Sequence, residues 1–179
     1  AAARVFDILD NEPDVKDSEN AVELDIKGDI EHLIELDLRG VKLHPDFQGI
    51  SINDKRCYKI YELCQGKLPV LMHTGDIRYS YSNPDNLIPV LKDFPFLTVI
   101  GAHFGGYSVW DDAIKKLQGF SNLFVDCSSA MAFISTEKSK ELVKFYGADH
   151  IIYGTDYPMW EFGEELKRFS SLELNDIDK

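Results

Sequence analysis

The sequence predicts a parallel α/β fold made of repeated strand–helix units, and three observations predict it. Five short apolar runs end on polar residues, at positions 44, 73, 103, 126 and 156. Those ends recur at intervals of roughly thirty residues, the length of a βαβ unit. The intervals hold stretches of helical periodicity. The runs are continuous, β-branched and aromatic, as expected of strands buried on both faces of a parallel sheet.

In chain order, "DIEHLIELDLRG" has helical spacing and precedes the first strand, "RGVKLHP", which ends on His44. "NDKRCYKIYELCQGK" puts Cys57, Ile60, Tyr61 and Cys64 on one helical face, with Asn53 as the expected N-cap and Gly66 as the stop. "KLPVLMHTG" is a strand ending on His73. "NPDNLIPVLKDFP" offers Asn83 as cap and Pro84 at the first helical position. "FLTVIGAHFGG" is a strand ending on His103, and "SVWDDAIKKLQGF" is a helix from Ser108 to a stop at Gly119. "NLFVDCSS" runs from Leu123 to Val125 and then meets Asp126. "STEKSKELVKFYGA" opens on Ser135 or Thr136, and "HIIYGTDYP" is the last strand, ending on Thr155 and Asp156. "FGEELKRFSSL" is a final helix. Residues 1–28 fit none of these units, and "DNEPDVKDSEN" reads as loop. The whole, 1–179, is expected to be one domain.

Two architectures accommodate such units: an open doubly wound sheet or a (β/α)8 barrel. No glycine-rich phosphate loop follows any strand, which weighs against the nucleotide-binding open sheet. A 44% hydrophobic content excludes a disordered chain, and a net charge of -12 argues against nucleic acid as a partner. No apolar run approaches a membrane span, and the N-terminus "AAARVFDILDNEP" lacks the pattern of a secretory leader. The three cysteines form no Cys-x-x-Cys pair, which suits reduced thiols in a cytoplasmic compartment.

In either architecture the carboxyl ends of the strands converge on one rim, where catalytic groups sit. His44, His73, His103 and Asp156 then face one small volume. Imidazoles and a carboxylate so placed are the ligand set of a divalent metal, most naturally Zn²⁺, with Mn or Fe as alternatives. A lone strand-end histidine is more often a hydrogen-bonded structural residue; the argument rests on the four together. Strand alternation puts Lys42 on the same face as His44, and would put Gly101 with His103 and Gly154 with Asp156, two glycines leaving room for the lysine. The loop Gly75–Pro84 carries Arg78 for a carboxylate and Tyr79 and Tyr81 for a ring or hydroxyl. The competing expectation is that Arg78 simply meets one of the chain's acids. His32 sits on a surface helix, and His150 precedes its strand, at the opposite end from the rim.

The motifs "GVKLHPDFQG", "LPVLMHTG", "TVIGAHFGG" and "IIYGTDYP" resemble, in this order, the amidohydrolase-related family of metal-dependent hydrolases. That branch includes aminocarboxymuconate-semialdehyde decarboxylase, resorcylate decarboxylases and lactone hydrolases. The resemblance covers residues of about 40 to 160 and implies a (β/α)8 TIM-barrel type, with these motifs as strands 4, 5, 6 and 8. It implies His73 and Asp156 as metal ligands, and Asp156 and His103 as the catalytic pair that moves protons. His44, Lys42, Arg78 and Tyr79 would be substrate contacts. The reaction would be hydrolysis or non-oxidative decarboxylation of a small carboxylated or cyclic substrate. The family's first strand supplies a His-x-His pair, but none of this chain's five histidines are two apart. The expectation is therefore an incomplete barrel, truncated at both ends, of about strands 4–8. The alternative function is an inactive remnant acting as a binding or structural domain. An incomplete sheet has open edges, so a homo-oligomer is also expected.

Overall fold

The structure is a computed structural model and describes residues 26–174. Helix α1 (Ile26–Glu35) leads into β1 (Val41–Leu43), the one-turn α2 (Pro45–Gln48) and α3 (Lys55–Cys64). Then come β2 (Val70–Met72), α4 (Pro84–Asp93), β3 (Val99–Gly101), α5 (Trp110–Lys116) and β4 (Leu123–Asp126). Helix α6 (Thr136–Tyr146), a 3₁₀ turn (Ala148–His150), β5 (Ile151–Ile152) and α7 (Phe162–Ser170) complete it. The part of the chain before Ile26 that fitted no repeating unit lies outside the described residues.

All four strand pairs are parallel, and the sheet order is β1-β2-β3-β4-β5. That order separates the two architectures. A doubly wound sheet reverses its strand order at a switch point, whereas a barrel adds each strand beside the last. The chain is an arc of a TIM-barrel-type fold.

The sheet is sealed on one face only. Val70, Met72, Val99, Leu123 and Val125 pack in one core with Tyr61, Cys64, Leu87, Val90 and Leu142 of the surrounding helices. The intervening Leu71, Ile100 and Phe124 are half-buried, and Lys42, in register with Leu71, is exposed. The expectation of strands buried on both faces therefore holds only for the helix side. Tyr61 anchors α3 by donating its hydroxyl to the Ile52 carbonyl at 2.8 Å.

Caps shift by one residue from expectation in two places. Asp54, not Asn53, caps α3 by accepting from the Arg56 N–H at 2.9 Å; Asn53 instead accepts from Ser51 Oγ. A charged acceptor at the positive end of a helix is the stronger cap. Helix α5 starts after Val109, because Ser108 takes a left-handed φ of 60° and its hydroxyl accepts from the Ile77 N–H across the rim. Asn83 and Ser135 cap α4 and α6 as their positions predict.

Candidate functional site

The loops after β2 and β3 carry His73 and His103, and they are held backbone to backbone. A Cβ on Gly75 (φ 80°) would stand 2.7 Å from the Gly106 carbonyl carbon, so only glycine permits this approach. The Tyr107 N–H donates to the Thr74 carbonyl at 2.8 Å beside it. The strand proper ends at Gly101, and His103 has a φ of 60°, so alternation does not carry through to the histidine. Gly101 faces the helix side, against Gly105, Thr74 and Leu123, and Gly154 lies against Ser128 and Asp126. Gly101 therefore makes no room for Lys42, contrary to the expectation from parity.

One carboxylate fixes His103. Asp126 Oδ1 accepts from the His103 N–H (3.0 Å), the Ser128 N–H (2.9 Å) and the Ser128 hydroxyl (2.6 Å). The Trp110 indole N–H donates to the His103 carbonyl at 2.9 Å.

The ring contacts then determine where the protons sit. His103 Nδ1 lies 2.8 Å from the Ser128 carbonyl, which can only accept. Ser128 Oγ, 3.2 Å from the same nitrogen, has its own proton committed to Asp126. Nδ1 is therefore the protonated nitrogen, and Nε2 of the neutral ring is an acceptor. Its neighbour at 3.1 Å is His73 Nδ1, which must then be the donor. That leaves His73 Nε2 with a free lone pair. It is buried and has no hydrogen-bond partner among the described residues. An orphaned, lone-pair-bearing nitrogen at a barrel rim is the chemistry of a metal ligand. Burial first, then the neighbouring His103, His44 and Lys42, push the His73 pKa down to about 3, so the ring is neutral near pH 7.

Two carboxylates share this corner. Asp46, just past His44, has its side chain almost fully buried, with Oδ2 3.8 Å from His73 Nε2. It accepts from the Ser82 N–H at 3.1 Å and the Ser82 hydroxyl at 2.5 Å. Asp76 is buried too, and one atom each from Asp46, His73 and Asp76 lie within 4.8 Å of one another. Neither acid was singled out in the sequence, although each follows a strand-end histidine by two or three residues.

The remaining candidates surround this corner. His44 caps α2, its Nδ1 accepting from the Phe47 N–H at 3.4 Å, and its ring stacks on His73 with centroids 4.1 Å apart. Burial, with Lys42, lowers its pKa. Lys42 lies along the open face, crowded enough that desolvation lowers its pKa against the opposing pull of Asp126 and Asp156. Arg78 grips Asp76 through Nε (3.0 Å) and Nη2 (2.7 Å), so it meets one of the chain's own acids. Tyr79 is exposed beneath that guanidinium. Asp156 is exposed at the other end of the rim, with a φ of 57°, and contributes no atom to the Asp46–His73–Asp76 group. Ser129 donates to Asp156 Oδ2 at 2.6 Å and accepts from the Trp160 indole N–H at 3.0 Å. Tyr107, Phe133 and Trp160 form a wall of edge-to-face rings, with centroids 5.7 and 6.0 Å apart, and Tyr107 also packs on His103. His32 is exposed beside Glu35, and His150 stacks on Phe124 ahead of β5. No helix among the described residues is long and apolar enough to cross a membrane.

The chain matches a protein family described as amidohydrolase over residues 20–178. Among solved structures it is similar to an uncharacterized TIM-barrel protein from Bordetella bronchiseptica, at 26% identity and a TM-score of 0.72, covering 84% of this chain and 56% of that one. It is similar in fold to a dihydroxybenzoic acid decarboxylase from a Polaromonas species, bound to manganese and the inhibitor 2-nitroresorcinol (14% identity, TM-score 0.61, 85% of this chain and 60% of that one). A third neighbour, from Pseudomonas putida, is provisionally designated a 2-pyrone-4,6-dicarboxylic acid hydrolase (19%, TM-score 0.59, 90% and 64%). The chain thus spans between 56% and 64% of the length of these three structures. No curated protein matches it.

Proposed function

The chain belongs to the amidohydrolase family, and from that premise we propose that its rim serves metal-dependent decarboxylation or hydrolysis of a small carboxylated or cyclic substrate. The observation that carries this reading is the orphaned His73 Nε2, 3.8 Å from the buried carboxylate of Asp46. The donors present suit a divalent ion, Mn²⁺ or Zn²⁺, which supplies Lewis acidity to an oxygen-bearing substrate when bound. The manganese in the decarboxylase neighbour supports the same class of ion.

The chain's own residues have separable tasks. His73 Nε2 would hold the ion, and its orientation comes from the hydrogen bond its Nδ1 donates to His103. Asp156 receives and returns a proton at the carboxylate oxygen that Ser129 does not occupy. His103 is the second proton-handling group, its ring set between His73 and Tyr107. Lys42 faces the open side and attracts a substrate carboxylate. The Tyr107–Phe133–Trp160 wall suits a flat ring.

The test is turnover of a panel of small aromatic carboxylates and lactones, followed as carbon dioxide release and as acid release on ring opening, with and without Mn²⁺ or Zn²⁺. The expected result is metal-dependent turnover, lowered at least a hundredfold in Asp156→Asn and lost in His73→Ala. Metal-independent turnover would contradict it. A second reading is a non-catalytic binding domain. It predicts no turnover of any panel member.

A further inference from the structure

We propose that Tyr146, the last residue of α6, is a positioning residue for the rim: its hydroxyl clamps the loop that carries His103 and so holds that imidazole in place beside His73. This rests on the reading of His103 as a proton-handling group.

The loop has a conformation that its own residues resist. His103, Phe104 and Gly105 follow one another at φ values of 60°, 52° and 67°. Two of the three carry side chains, for which the left-handed region is unfavourable, so contacts from outside must hold it. The first peptide of the run has two such contacts. The Trp110 indole N–H donates to the His103 carbonyl at 2.9 Å, and the Phe104 N–H donates to the Asp126 carbonyl at 2.6 Å. The second peptide has one among the described residues. Its N–H, on Gly105, reaches back only to the Gly101 and Ala102 carbonyls, at 3.3 and 3.1 Å. Its carbonyl, on Phe104, accepts the Tyr146 hydroxyl at 3.1 Å, from 42 residues further along the chain. Gly105 leaves space for this approach, since a Cβ there would stand 2.9 Å from Tyr146 Oη. Burial raises the Tyr146 pKa, so the phenol keeps the proton that it donates.

The clamped peptide leads directly to the groups around His103. Gly106, next in the chain, packs against the Gly75 backbone. Tyr107 donates its N–H to the Thr74 carbonyl, beside His73, and sets its ring edge-to-face on His103 with centroids 5.5 Å apart. Without the hydroxyl, the Phe104–Gly105 peptide is free to turn. His103 then loses its support on that side, while Asp126 keeps hold of its N–H. A displaced imidazole still lets substrate bind but slows proton transfer, so the effect falls on kcat and not on KM.

The experiment is Tyr146→Phe in the whole chain, which deletes one oxygen and keeps the ring. Tyr61→Phe is the control, because it also removes a hydroxyl bond to a backbone carbonyl, that of Ile52, but at the anchor of α3. Amide hydrogen exchange and ¹⁵N-edited nuclear magnetic resonance of the imidazoles read the loop without any substrate. In Tyr146→Phe the Phe104 and Gly105 amides should exchange about tenfold faster relative to those of β2. The His103 Nδ1–H signal should shift or broaden. In Tyr61→Phe both should stay as in the parent. On any panel substrate that the parent turns over, Tyr146→Phe should lower kcat about tenfold and leave KM within about twofold. Parent-like loop exchange and His103 signals in Tyr146→Phe overturn the proposal. So does the same change in Tyr61→Phe, which marks a general loss of stability, and so does an altered loop with parent-like kcat. If the parent turns over no panel member, the proposed function falls, and the exchange and imidazole signals alone decide the clamp.

Discussion

Acid should destabilise this fold chiefly through His73, and replacing that residue should shrink the effect. Burial holds the His73 pKa at about 3 in the folded chain, against an ordinary value of 6.5 when unfolded. Between those values the unfolded chain binds a proton that the folded chain refuses. Stability is therefore full above pH 6.5 and falls as pH drops toward 3. The slope for one such group approaches about 1.4 kcal/mol per pH unit, so acidification from 6.5 to 4.5 should remove up to about 2.7 kcal/mol. His73→Gln keeps a neutral polar side chain and cannot take up the proton. Near pH 7 it should lose about 1 kcal/mol with the hydrogen bond to His103. Urea denaturation at half-unit steps from pH 7 to 4.5 measures both curves. His44, also lowered by burial, contributes to both and largely cancels in the difference. The two curves should converge and cross as pH falls. Parallel curves would refute the premise that His73 is buried and neutral.

Asp126→Ala removes the acceptor of three donors at once, the His103 N–H, the Ser128 N–H and the Ser128 hydroxyl, and should lower stability by about 3 kcal/mol in urea. Gly75→Ala places a methyl 2.7 Å from the Gly106 backbone at a φ of 80° and should cost at least about 2 kcal/mol. Gly119→Ala shares the left-handed φ (82°) but meets nothing within 4 Å, so thermal unfolding should show a loss of only about 1 kcal/mol.

Much of the architecture was legible because its signals are local. A strand that ends on His73 and a helix that opens on Asn83 and Pro84 announce themselves within a few residues. The caps of α3 and α5 went astray by one position because adjacent polar residues compete, and the winner depends on contacts such as Ser108 with the Ile77 N–H, made across the rim. At the site, the histidines were visible as polar ends of apolar runs. Asp46 and Asp76 were not, because each sits in a turn rich in polar residues, where one more acid is unremarked. What sets them apart is their burial, which only the folded chain defines. The parity argument failed at Gly101 because it extended strand alternation into a turn where His103 has a positive φ.

The most direct test of the account is the protonation of His73 itself, read by ¹⁵N-edited nuclear magnetic resonance of the imidazole nitrogens with and without Zn²⁺. The account predicts a proton on Nδ1, none on Nε2, and an Nε2 resonance that moves when Zn²⁺ is added. A protonated Nε2 in the free chain, with no response to Zn²⁺, would contradict it.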